Sequence, residues 1–169
     1  MAGRGDNRQM QDLPAFFDKL CSRGQLAARI AALPRPLVFT NGVFDILHVG
    51  HVSYLARARA LGASLVIGLN SDVSARTLGK GPDRPLNREA DRAAVLAALE
   101  SVSLVALFDE NMPLELLKLV RPDLYVKGGD YEVESLAETP LVRSWGGDAH
   151  ALPFIDGYST TSLVRRIRG

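Results

Sequence analysis

Unbroken apolar runs alternate along this chain with stretches whose apolar positions recur every three or four residues. The unbroken runs are residues 37–40, 63–70, 102–108, 123–126 and 149–152. Such runs predict strands buried on both faces of a parallel sheet. Helical spacing falls between them, over residues 49–61, 88–100, 113–121 and 139–145, and again after Ser159. The expected buried faces are Val95, Ala98, Leu99 and Val102; then Leu116, Leu119 and Val120; then Leu163, Val164 and Ile167. Residues 13–33 also read as helical, broken at Arg23-Gly24, until Pro34 and Pro36 stop helix formation. Strands alternating with helices predict a single-domain, doubly wound, Rossmann-like α/β fold with a five-stranded parallel sheet. Residues 1–12 read as a disordered tail, 13–35 as a helical extension and 36–169 as the domain proper.

In such sheets ligands bind beyond the carboxyl ends of the strands, where the strand order reverses. The unusual polar segments all follow strand ends: residues 41–51, 70–92 and 127–130. The first is the most informative. His48 and His51 stand three residues apart, with Gly50 between them, at the expected start of a helix. Residues at i and i+3 share a helix face, so both imidazoles can point the same way. A helix amino end favours anions through its free N–H groups and dipole. Two imidazoles added there make a phosphate cradle. Two other readings stay open, an ordinary βα loop and a zinc pair, although zinc would need further ligands that the neighbouring sequence does not offer.

Composition narrows the class. Apolar residues make up 47% and charged residues 23% of the 169, with a net charge of +1. That balance fits a globular protein and argues against a strong nucleic-acid footprint. Cys21 is the single cysteine, which excludes an internal disulfide and fits a reducing compartment. No run approaches a membrane span and no signal-peptide pattern opens the chain, so a cytoplasmic protein is expected. Gly79-Lys80-Gly81 lacks the spacing of a P-loop, no dinucleotide fingerprint follows a strand, and no Gly-x-Ser-x-Gly elbow occurs.

The segment from Asn41 to His51 resembles the HxGH signature of the cytidylyltransferase-like nucleotidyltransferases. Asn70-Ser71-Asp72, Lys80-Gly81 with Arg84-Pro85, the stretch Lys127-Gly128-Gly129-Asp130-Tyr131, and Gly157-Tyr158-Ser159-Thr160-Thr161 narrow the match. Together they resemble the adenylyltransferase half of the bacterial ADP-heptose synthesis enzymes, in order and from about residue 37 to the end. The resemblance implies transfer of AMP from ATP to a heptose 1-phosphate, with Mg2+ carried mainly by nucleotide phosphates and no protein metal site. It implies a self-associating enzyme, a homodimer or larger. A chain of this length has no room for the kinase domain of fused relatives, so a stand-alone transferase is expected.

Site roles follow from the same resemblance. His48, His51 and Lys80 are the expected catalytic residues, Lys80 from a mobile loop. Thr40, Asn41, Gly42 and Phe44 would form a wall against the nucleotide, joined by Lys127, Gly128, Gly129, Asp130, Ser159, Thr160 and Thr161. Asp45, Asn70, Asp72, Lys80 and Arg92 would bind the second substrate. Ordinary explanations stand beside these: core packing for Phe44, turn chemistry for Asp45, Asn70 and Asp72, and an N-cap for Ser159. Arg88 and Arg92 open a helix, where cations oppose the dipole, so an anionic ligand would account for them. Two other functions remain open, a cytidylyltransferase of glycerol 3-phosphate or another small alcohol phosphate, and a non-catalytic nucleotide-binding module.

Overall fold

The computed structural model describes residues 13–79, 81 and 83–169. The tail predicted over residues 1–12 lies outside these, as does Lys80. Six parallel strands form one sheet: β1 (Leu20–Cys21), β2 (Leu37–Gly42), β3 (Ser64–Asn70), β4 (Leu104–Phe108), β5 (Leu124–Gly128) and β6 (Asp148–Leu152). Their order is β1-β4-β3-β2-β5-β6. The helices are α1 (Leu26–Ala31), α2 (Val49–Arg59), α3 (Asp72–Thr77), α4 (Glu89–Ala97), α5 (Leu114–Val120), α6 (Glu138–Arg143) and α7 (Thr160–Arg168).

Adjacent strand residues feed opposite faces, as the two-residue period requires. On one face Phe39, Val66, Leu104 and Tyr125 meet Leu26 of α1, Leu116 and Leu117 of α5, and Val142 of α6. On the other, Val38, Leu65, Ile67 and Val126 meet Tyr54 and Leu55 of α2 and Leu96 of α4. Each fully buried side chain of this kind contributes roughly 1.5–3 kcal/mol of transfer free energy. The two apolar layers hold the strand ends, and so the site, in fixed register.

Three expectations need correction. The sheet has six strands, because part of the predicted helical segment is extended. A 3-10 turn (Ala15–Lys19) leads into β1, which pairs with β4 through Leu20 opposite Val105 and Cys21 opposite Ala106. A two-residue strand here satisfies backbone groups that the edge of β4 would otherwise leave bare. Second, α4 is turned by about one residue from its predicted face, while α5 keeps Leu116 and Val120 inward as predicted and buries Leu117 in place of Leu119. Val95 and Leu119 are exposed, whereas Arg92, Ala93, Leu96 and Ala97, and Leu116, Leu117 and Val120, face inward. In α4 the inward register is fixed by Arg92, a charged residue that a hydrophobic pattern assigns to solvent. Third, α7 buries none of its residues, and Ile167 is 71% exposed.

Candidate active site

From β2 the chain crosses to β3 on one side, while β5 flanks β2 on the other, so the order reverses between β2 and β5. A cavity of about 690 Å³ opens at their carboxyl ends. It is walled by the β2–α2 turn, the ring of Tyr54, the end of β5, the loop carrying Arg84 and Pro85, and the chain entering α7.

The two histidines meet as predicted. His48 is the N-cap of α2 in extended conformation, and its carbonyl accepts the N–H groups of His51 (2.9 Å) and Val52 (3.2 Å). One turn apart, the imidazoles stack with centroids 3.9 Å apart and planes at 25°, and both line the cavity. The intervening Gly50 has a packing reason. A Cβ there would lie 3.0 Å from His48 Nδ1 and 3.1 Å from the Cβ of Tyr158. Burial lowers the pKa of His48, because the charged ring would lose solvation. Its Nδ1 is buried with no hydrogen-bond partner among the described residues. A donor or acceptor left in this state inside a cavity is suited to a ligand.

The rest of the turn shapes that pair. Phe44 holds a left-handed φ of +46° and sets its ring edge-on to His51, with centroids 5.5 Å apart. Gly42 permits the fold-back, since a Cβ there would come within 2.9 Å of the Phe44 ring. Opposite stands the amino end of α7. Ser159 caps it by accepting the Ser162 N–H at 3.0 Å, and Thr160 Oγ1 donates to the carbonyl of Ile46 at 3.4 Å. Ser159, Thr160 and Thr161 all line the cavity. Two helix amino ends therefore face one space.

Other predicted ligands are committed to the frame. Arg92 is 2% exposed and absent from the cavity wall. Its Nη1 donates to the carbonyls of Val43 (2.6 Å) and Asn70 (2.8 Å), its Nε to that of Asn87 (3.0 Å), and its Nη2 to Asp72 (2.8 Å). Arg92 and Asp72 thus tie together the loops after β2 and β3 and the start of α4. No anionic ligand is needed to explain the cation. Asn70 does border the cavity, but its amide donates to Ser74 Oγ at 2.8 Å. Thr40 is fully buried, paired with the Tyr54 hydroxyl at 2.6 Å, and is not part of the lining of this cavity.

Asp45 is 8% exposed and acts as a latch. One carboxylate oxygen accepts the N–H groups of Leu86 (2.8 Å) and Asn87 (2.9 Å), while the other pairs with the Arg84 guanidinium. This holds Arg84 and Pro85 against the cavity. Across from it, Asn41, Lys127 and Gly128 line the opposite wall, whereas Gly129 and Asp130 border a separate open hollow. Sequence reasoning assigned no role to Tyr54, Asn111, Phe154 and Glu138. Tyr54, Asn111 and Phe154 line the cavity and Glu138 is buried beside Tyr125 behind its wall; their signal is tertiary, since nothing local marks them.

The chain has relatives that match this architecture. A family model described as cytidylyltransferase-like matches residues 39–166. The chain belongs to the cytidylyltransferase-like family. That span contains every residue named as lining the cavity. A relative from Bordetella bronchiseptica, named D-beta-D-heptose 1-phosphate adenylyltransferase, is 59% identical over 90% of this chain and 96% of its own length. The Bifunctional protein HldE of Syntrophotalea carbinolica is 54% identical over 79% of this chain, which spans only 27% of that longer protein. The crystal structure of the lipopolysaccharide core biosynthesis protein from Thermoplasma volcanium superposes with a TM-score of 0.60. It is 29% identical and covers 73% of this chain and 98% of that one.

Proposed function

We propose that this protein transfers the adenylyl group of ATP to D-glycero-β-D-manno-heptose 1-phosphate, releasing pyrophosphate and forming ADP-heptose for lipopolysaccharide core assembly. The observation that carries the chemistry is the His48–His51 stack at one helix amino end, facing a second helix amino end across the cavity. The choice of sugar phosphate is supported by the relative with 59% identity and by the resemblance of the Lys127–Tyr131 stretch to the ADP-heptose synthesis enzymes.

A sugar phosphate has a second pKa near 6, so near neutrality it is already largely an anionic nucleophile. Its oxygen attacks the α-phosphorus of ATP in line. One O–P bond forms, the bond from Pα to the bridging oxygen breaks, and pyrophosphate leaves with that electron pair. No general base is required. The protein must hold two anions together and stabilise charge developing at the α-phosphate, a task for preorganised donors. His48 and His51 supply ring N–H groups, and the amino ends of α2 and α7 supply main-chain N–H groups. Lys80, which lies outside the described residues, would add its charge.

Mg2+ brought in with the nucleotide would supply neutralisation of charge on the departing pyrophosphate. The described residues group no three His, Cys, Asp or Glu side chains around a metal position, and an ion held by phosphate oxygens requires none. No described helix is long and apolar enough to cross a membrane. The reading places the reaction in the cytoplasm, in a self-associating enzyme whose native mass would report its state.

Pyrophosphate release assayed with ATP and CTP, each against heptose 1-phosphate and glycerol 3-phosphate, tests this function. Turnover is expected with ATP and the heptose phosphate. Turnover confined to CTP, or absence of turnover with every pair, would overturn it.

A further inference from the structure

Glu138 is a buried ionisable group that the proposed reaction leaves without a task. It is 6% exposed, in the first turn of α6, beneath the end of β5. Isolating a carboxylate from water costs several kcal/mol unless it is paired and hydrogen-bonded. Its partners converge toward the cavity. Glu138 Oε1 accepts from the Tyr125 hydroxyl at 3.1 Å and lies 3.8 Å from Lys127 Nζ. That ammonium also lies 3.3 Å from the Tyr125 hydroxyl and 3.5 Å from Asn41 Oδ1, which itself lies 2.9 Å from the same hydroxyl. Its Nζ stands 5.9 Å and 6.0 Å from the ring centres of Tyr125 and Tyr131.

The result is a cation on the cavity wall whose acceptors come from three elements, β2, β5 and α6. Burial, reinforced by the Glu138 charge, pushes the Tyr125 phenol far above its ordinary pKa, so the hydroxyl stays protonated between the Glu138 carboxylate and the Asn41 amide. Lysine is a flexible point charge with costly side-chain entropy. Fixing it in advance removes that cost from substrate binding.

We propose that Glu138, acting through Tyr125 and Asn41, is a positioning residue that presets the Lys127 ammonium as a ligand for a substrate phosphate. The phosphate is that of the nucleotide or that of the sugar phosphate, and the inference rests on the transferase reading above. Glu138 touches neither substrate. It works only through the lysine, and that dependence separates it from a carboxylate that merely stabilises α6.

A double-mutant cycle reads the dependence. Lys127→Met, Glu138→Gln and the double variant are compared with wild type for kcat and for KM of ATP and of heptose 1-phosphate. Each single variant is expected to lose about ten- to a hundredfold in kcat/KM, as misplaced groups do, with KM raised for the substrate whose phosphate Lys127 holds. In the Lys127→Met background, Glu138→Gln is expected to add less than about twofold. Full, multiplicative losses in the double variant, or unchanged KM for both substrates in the singles, would overturn the proposal. Tyr125→Phe, which removes only the bridging hydroxyl, gives the same cycle if Glu138→Gln does not fold. Wild-type turnover, measured alongside, distinguishes failure of this inference from failure of the transferase reading, which would leave wild type itself inactive.

Discussion

The two halves of the cavity rim use similar residues for opposite purposes. On the β3–α4 side, Arg92, Asp72 and Asn70 are turned onto protein partners, and Arg92 alone binds three carbonyls and a carboxylate; Asp45 of the β2–α2 turn is drawn onto that side by Leu86 and Asn87. On the β2–α2 side, His48 and His51 stack with their rings toward the cavity, and a buried nitrogen of His48 has no hydrogen-bond partner among the described residues. Saturated polar groups hold a frame, while groups with capacity left over can hold a ligand. Charge and position at a strand end do not distinguish the two. The accounting of donors and acceptors does.

That contrast can be broken first at Arg92. Its side chain is fully buried, so Arg92→Met strands Asp72 and three carbonyls. A loss of about 3 kcal/mol or more in denaturant-unfolding stability is expected, since breaking a buried ionic network leaves charge uncompensated. A variant of normal stability but weakened substrate binding would return Arg92 to the ligand set. The histidine side should respond in rate. Gly50→Ala puts a methyl 3.0 Å from the His48 ring, and should lower kcat roughly tenfold through ring displacement while the melting temperature stays near wild type. An unchanged kcat would mean that ring placement there is loose.

Gly128→Ala is a finer probe. Its methyl would meet the Phe154 ring at 2.6 Å and the buried Tyr54 ring at 3.1 Å; Phe154 is 48% exposed and can swing away, leaving only the Tyr54 approach to be absorbed. A stability change below about 1 kcal/mol is expected, with a few-fold rise in KM for ATP from the displaced wall. The smallest effect concerns acid. Because burial lowers the folded pKa of His48, the unfolded chain binds more protons near pH 6.5 and below. His48 therefore subtracts stability as pH falls through that ordinary value and has no such effect above it. His48→Gln should flatten the stability profile between about pH 5 and 7. A profile identical to wild type would show that the ring is not desolvated.

The histidine turn was legible in the sequence because everything that builds it is local: apolar strand, glycine, N-cap, three-residue spacing. Buried strands were equally legible as unbroken runs. The face of α4 was not, because Arg92 points inward for hydrogen bonds that hydrophobic periodicity cannot register. Strand β1 was hidden because two residues carry no period and its neighbours read as helix. Asp45 and Arg84 lie 39 residues apart, and Lys127, Tyr125 and Glu138 meet only once α6 packs on β5. Tertiary pairing of that kind leaves no local mark.

The central claim is that the stacked imidazoles at the amino end of α2 stabilise the reacting phosphate. Single-turnover pyrophosphate formation from saturating ATP and heptose 1-phosphate, compared between wild type and His51→Ala, tests it most directly. A fall of about a hundredfold or more, as removal of a preorganised donor produces, is predicted with the fold intact. A rate within about twofold of wild type, well short of the ~100-fold expected of such a donor, would contradict the account.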